Sequence, residues 1–236
     1  MKEVIALIKK KKQEFARLPL FDFLANKNIH PRQRLIFSPI LASLALGLRD
    51  LNKYVLRESG SNHPVQESID KHAYKESRYW HSCLENLEKL GLNQSMSYGD
   101  LRLLWGEETK KTQSLCSALE RLAFQAPPIQ KLVLAEVLEG TATVFFDAVL
   151  RVAMEIQEIP KTEYVYFGDG WLHLGNHSLL NTPEMLQILS EFPVSDREWH
   201  EALELTETVF ELFVEAMNEL LENARTNSCN TVLQVA

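Results

Sequence analysis

Apolar positions recur at helical spacing along most of the chain, and proline or glycine punctuates them. Val4, Ile5, Ile8 and Phe15 line one side of a helix over residues 1–17, around the basic run Lys9 to Lys12. After Pro19, the cluster Leu20 to Leu24 predicts a short apolar helix, and Pro31 opens a long one reaching about Glu58, kinked at Pro39. The stretch Ser59 to Pro64 breaks the pattern, and Pro64 starts a helix through Leu90 that Gly91 stops. Ser97 caps a segment to Leu104, Gly106 interrupts, and Glu107 to Phe124 resumes with Leu115, Leu119 and Leu122 on one side.

Pro127 and Pro128 open a helix over Ile129 to Ile159 that is apolar nearly all round its middle, as a central buried helix must be. Pro160 ends it. Tyr164 to Gly170 is the single strand-like run, too little for a sheet. Thr182 and Pro183 begin another helix, and Ser195 with Glu198 reads as a capping box into a last helix to about Arg225. The pattern predicts an all-α bundle of seven to nine helices, one domain over residues 1–225 and a flexible tail over 226–236.

Composition narrows the function classes. With 236 residues, 45% of them hydrophobic, the chain can bury one substantial core. Its longest weakly charged run, Leu35 to Leu48, falls short of the roughly 20 residues that span a bilayer, so no membrane span is expected. The N-terminus lacks a secretory pattern, and a cytoplasmic protein is expected. Cys83, Cys116 and Cys229 are odd in number with no CxxC spacing, which predicts inert, reduced thiols. A net charge of −7 argues against nucleic-acid binding, and the Lys9 to Lys12 run reads as a solvated face. Phosphate-loop, dinucleotide, GxSxG and HExxH motifs are all missing.

Candidate chemistry lies in three places. His72 and Glu76 stand at i, i+4 and can reach one point, and imidazole with carboxylate suits non-haem iron or manganese. Glu136 and Glu139 stand at i, i+3 in the apolar helix, where two carboxylates cost several kcal/mol unless paired or metal-bound. Glu136 is expected to be buried and to face His72 or Glu76 across the bundle, although the sequence leaves open which of the two glutamates meets the site. His173 and His177 form a second i, i+4 pair after Trp171, among glycines that interrupt helix continuity.

The order of these features, over roughly Leu20 to Phe213, resembles the haem-oxygenase-like diiron oxidases, also called iron-containing redox enzymes. The resemblance is carried by Asp50 to Tyr54, by His72, Glu76 and Trp80 with Leu84 to Gly91 behind them, by Leu103 to Thr109, by the Glu-bearing helix, and by Tyr166 to Gly168 before the His-rich segment. It implies a haem-oxygenase-like bundle whose helices hold two irons that activate dioxygen to oxidise a small organic substrate. It also implies metal ligands among His72, Glu76, Glu136, Glu139, His173 and His177, with Tyr74, Tyr79, Trp80 and Trp171 lining the pocket.

Two places depart from the family's pattern. Glu-x2-His becomes Glu76 with Tyr79 in the histidine position. His-x3-Asp/Glu-x2-His is incomplete in either register, because Leu174 and Gly170, or His177 and Leu180, fall on the wrong slots. Two readings therefore stand. One is a metal-dependent oxidoreductase with iron, or manganese, acting on a small molecule. The other is a non-catalytic relative of the same fold that binds a small ligand or serves as an accessory protein, and a homodimer is allowed under either reading.

Overall fold

The computed structural model describes residues 2–92, 97–156, 178–192 and 194–234, apart from the side chains of residues 100, 103 and 227–234. Among the described residues there are nine helices and no strand, in agreement with the all-α expectation. Helix α1 spans Lys2–Phe15 and α2 Pro19–Ala25. Helix α3 enters through a turn at Pro31–Arg34, runs over Ser38–Asp50 and continues as a π-helix over Leu51–Leu56. Helix α4 has two segments, Pro64–Glu76 and Trp80–Lys89. Then come α5 (Tyr98–Leu104), α6 (Lys110–Ala123, after a 3-10 turn at Glu107–Thr109), α7 (Pro128–Ile156), α8 (Pro183–Glu191) and α9 (Asp196–Gln234).

Local chemistry explains most of the boundaries. Pro19, Pro31, Pro64, Pro128 and Pro183 each sit in a first helical turn, where the missing N–H costs nothing. Gly91 closes α4 at φ +67°, a conformation that glycine reaches without strain. Thr182 Oγ1 accepts the Met185 N–H at 3.1 Å, and the capping box forms, with Glu198 Oε2 accepting from Ser195 N at 2.9 Å and Ser195 Oγ from Glu198 N at 3.3 Å.

Other boundaries differ from the expectation. Pro39 begins a new helical segment rather than kinking a continuous one, because residues 35–37 have already left the helix. Helix α4 likewise breaks at residues 77–79, and α9 continues to Gln234, past Arg225. The strand-like run Tyr164 to Gly170 lies outside the described residues.

Helices α7 and α9 pack along each other and form the spine, with α1 and α2 against both, α6 against α9, and the first segment of α4 against α7. Burial on every side of α7 explains its loss of one-sided periodicity: Leu132, Val133, Leu134 and Val137 are all inaccessible. Phe15 meets Phe21, Phe210 and Phe213 edge-on at 5.4, 6.3 and 6.4 Å, joining α1, α2 and α9. Arg34, 1% exposed, donates to Leu24 O at 2.6 Å and Ile29 O at 3.0 Å and pairs with Glu155 of α7. Cys83 and Cys116 are buried, which pushes their thiols up to about 12 and leaves them protonated. No described helix is long and apolar enough to cross a membrane.

Candidate metal centre

Helix α4 presents His72 and Glu76 one turn apart beside Ile69 and Ala73, both inaccessible, and this face packs on α7. The crossing brings Glu139 of α7 opposite them. His72 Nε2 lies 3.1 Å from Glu139 Oε1, and one donor atom from each of His72, Glu76 and Glu139 falls within 4.8 Å of the others. Donors held at about 2 Å from one ion lie roughly 3 to 4 Å apart, and the spacing of these three is close to that.

The three residues form part of the wall of a cavity of about 70 Å³ between α3, α4, α7 and α9. The remaining wall is mainly apolar, with Leu48, Leu138, Phe145, Phe146 and Phe213 prominent. This setting determines the protonation states. Burial lowers the His72 pKa from its usual 6.5, against the raising effects of Glu76 and, more weakly, Glu136, which favours a neutral ring. Glu76 is pushed up to about 8, first by burial and then by the Glu139 charge, with His72 and Lys75 opposing. A carboxyl, a carboxylate and an imidazole in one apolar wall form either a proton-sharing cluster or a one-ion donor set, and the donor chemistry fits a single iron or manganese ion.

The structure separates the sequence candidates. Glu139, 5% exposed, joins His72 and Glu76. Glu136 does not complete this group: it is half-buried, and its Oε2 accepts from Leu179 N at 2.6 Å and Leu180 N at 3.0 Å, anchoring the turn before α8. The expectation that Glu136 would face the α4 pair is corrected to that extent, although its charge still reaches His72. Three residues along α7 rotate a side chain by about 60° and advance it by about 4.5 Å, which suffices to divide the two roles. His173, His177 and Trp171 lie outside the described residues.

Tyr79 and Trp80 line the cavity, as expected. Tyr74 does not; two residues from both His72 and Glu76, it lies on the opposite face of α4, 51% exposed, under Arg57 and Arg78. Burial, with Glu76 and Glu139 nearby, raises the Tyr79 pKa, which favours the neutral phenol in the metal-free protein.

Arg49 and Asn52 also line the cavity, and both were missed. Arg49 donates to Asp50 through Nε (2.9 Å) and Nη2 (3.0 Å) and lies 5.4 Å from the Trp80 ring, which stacks on His81 at 3.5 Å. Asn52 Nδ2 donates to Leu48 O at 2.9 Å at the start of the π-helical segment, an irregularity that often accompanies functional sites. The available signal was a polar group, Arg49, Asp50 and Asn52, embedded in an apolar helix.

Neither the protein-family models nor the curated proteins give a match to this chain.

Proposed function

We propose that this chain is a metal-dependent oxidoreductase of the non-haem iron, dioxygen-using kind, haem-oxygenase-like in arrangement and acting on a small organic molecule. The observation that supports it is the meeting of His72, Glu76 and Glu139, from two helices, in the wall of one apolar cavity. An imidazole and two carboxylates suit iron or manganese and leave coordination positions open. A bound ion of this type would supply one-electron redox chemistry and a place for dioxygen.

The protein's own residues do the rest. His72, favoured in its neutral form by burial, offers a nitrogen lone pair. Glu76, whose carboxyl holds a proton up to about pH 8, would give up that proton where it holds the ion. The Tyr79 phenol keeps a donor O–H at the cavity edge. Phe145, Phe146 and Leu138 exclude water and restrict the substrate to a small, largely apolar group.

Metal content is the test. Protein made in iron-supplemented medium should carry one iron or manganese per chain, and His72→Ala with Glu139→Ala should abolish it while the helical circular-dichroism signal persists. Two tightly held irons would establish donors beyond these three. Failure to load any metal would remove the oxidoreductase reading. A second reading, a non-catalytic small-ligand-binding or accessory protein, is supported by Glu76 itself, whose proton can satisfy the cluster without an ion.

A further inference from the structure

The second half of α7 leaves one stripe of its surface open. Val144, Asp147, Ala148, Arg151 and Met154 recur there at helical spacing and form one wall of a groove of about 830 Å³, with Phe21 and Ala25 of α2 in the other. Val144 and Ala148 are only half-buried, and Met154 is 42% exposed. A single exposed methionine is ordinary, whereas an apolar stripe that lines a groove marks a contact surface.

The order of residues along this stripe is symmetric. Val144 and Met154 lie five residues to either side of Val149, and Asp147 and Arg151 lie two to either side, while Val149 itself is fully buried. At about 100° per residue, Val144 and Met154 stand about 40° to either side of the direction opposite Val149, and Asp147 and Arg151 about 20°. A twofold axis meeting α7 along that direction lays a second copy of the helix antiparallel on the first. Val144 then meets the partner's Met154, Asp147 meets the partner's Arg151, and each contact is made twice.

Charge favours this occupant over any other. Arg151 donates through Nε (3.1 Å) and Nη2 (2.7 Å) to one oxygen, Asp147 Oδ2, which leaves Arg151 Nη1 and Asp147 Oδ1 to bond across the axis. Glu155, at the end of the groove, is already engaged by Arg34 and Lys27. A stripe with one carboxylate and one guanidinium at its centre selects neither an acidic nor a basic partner, but it complements an inverted copy of itself. The flexible thioether of the partner's Met154 suits the hollow between Val144 and Phe21. We propose that this chain forms a twofold homodimer in which α7 packs antiparallel on α7 of a second copy, with Asp147 and Arg151 of each chain paired across the axis. The interface forms with or without a bound ion, and it backs the turns whose Phe145 and Phe146 wall the metal cavity.

Sedimentation equilibrium on the full chain is the test. Interfaces of standard size hold with micromolar or tighter constants, so at about 50 µM the chain should sediment as a dimer. Asp147→Arg and Arg151→Asp each set like charges against each other twice across the axis, and each should weaken dimerisation at least about tenfold while the helical circular-dichroism signal persists. Mixed one to one, the two variants should pair with each other, because one stripe is then wholly basic and the other wholly acidic. Met154→Glu, at an exposed position, should weaken the dimer as well and serves where a reversal impairs folding. Arg197→Glu, which reverses a similar pair on α9, should dimerise as the parent does. A monomer at that concentration, a dimer indifferent to both reversals and to Met154→Glu, or folded reversed variants that stay apart on mixing would each overturn the proposal. A monomer that carries a co-purified small molecule in native mass spectrometry would overturn it too and give the groove to a ligand.

Discussion

Glu76 is the residue whose surroundings change its chemistry most visibly. Burial and the Glu139 charge push it up to about 8 from an ordinary 4.5, so folding favours its protonated form. That contribution is complete below about pH 4.5 and is lost as pH rises through about 8. His72 acts in the opposite sense: its pKa is lowered from 6.5, so its contribution is present above that value and is lost as pH falls. Above 6.5, Glu76 therefore dominates. Chelator-treated protein should lose about 2 kcal/mol of stability between pH 6.5 and 8, at about 1.4 kcal/mol per pH unit, and Glu76→Gln should flatten that loss. Urea midpoints over this range check it; a flat wild-type profile would mean that Glu76 is already ionised. Metal affinity should rise over the same range, because the ion displaces the proton.

At the scale of elements, close approach decides more than propensity. A Cβ placed on Gly47 of α3 would lie 2.6 Å from Cys116 Sγ and 2.7 Å from Cys116 Cβ on α6, so neither a rotamer change nor a small shift accommodates it. Alanine in a helix interior gains about 1 kcal/mol over glycine, yet overpacking costs about 1 to 3. Gly47→Ala should thus destabilise by up to about 2 kcal/mol in denaturant unfolding, and Cys116→Ala should recover part of the loss. If Gly47→Ala raised the midpoint, the two helices would not be in contact there. The positions that matter for the site follow the same rule. Helix α4 exposes Tyr74 and buries the His72 and Glu76 side because the latter crosses α7, a consequence of side-chain direction that the i, i+4 spacing alone does not reveal.

For the molecule as a whole, Arg34 shows how distant segments are tied. It gathers Leu24 O at the end of α2, Ile29 O in the following loop, and Glu155 near the end of α7. The same contact holds the Glu155 pKa below its ordinary 4.5, chiefly through the Arg34 hydrogen bond, so this pairing persists as pH falls until Glu155 is protonated. Arg34→Met would leave both carbonyls without this donor at about 1 to 3 kcal/mol each, and a fall of about 3 kcal/mol in unfolding free energy is expected. An unchanged midpoint would show that water replaces all three contacts.

The sequence by itself determined the helices, because apolar periodicity, first-turn prolines, the Ser195 capping box and the Gly91 stop are local signals read within one or two turns. It also placed His72 and Glu76 on one face, since that spacing is a property of a single helix. Only the tertiary structure chose Glu139 over Glu136, removed Tyr74 from the pocket and brought Arg49 and Asn52 to its wall. Both glutamates look alike along α7, a helix buried nearly all round, whose pattern has no weak side to show which face another helix will cover. The angle at which α4 crosses it is set by the packing of many side chains at once, and no stretch of sequence contains that angle.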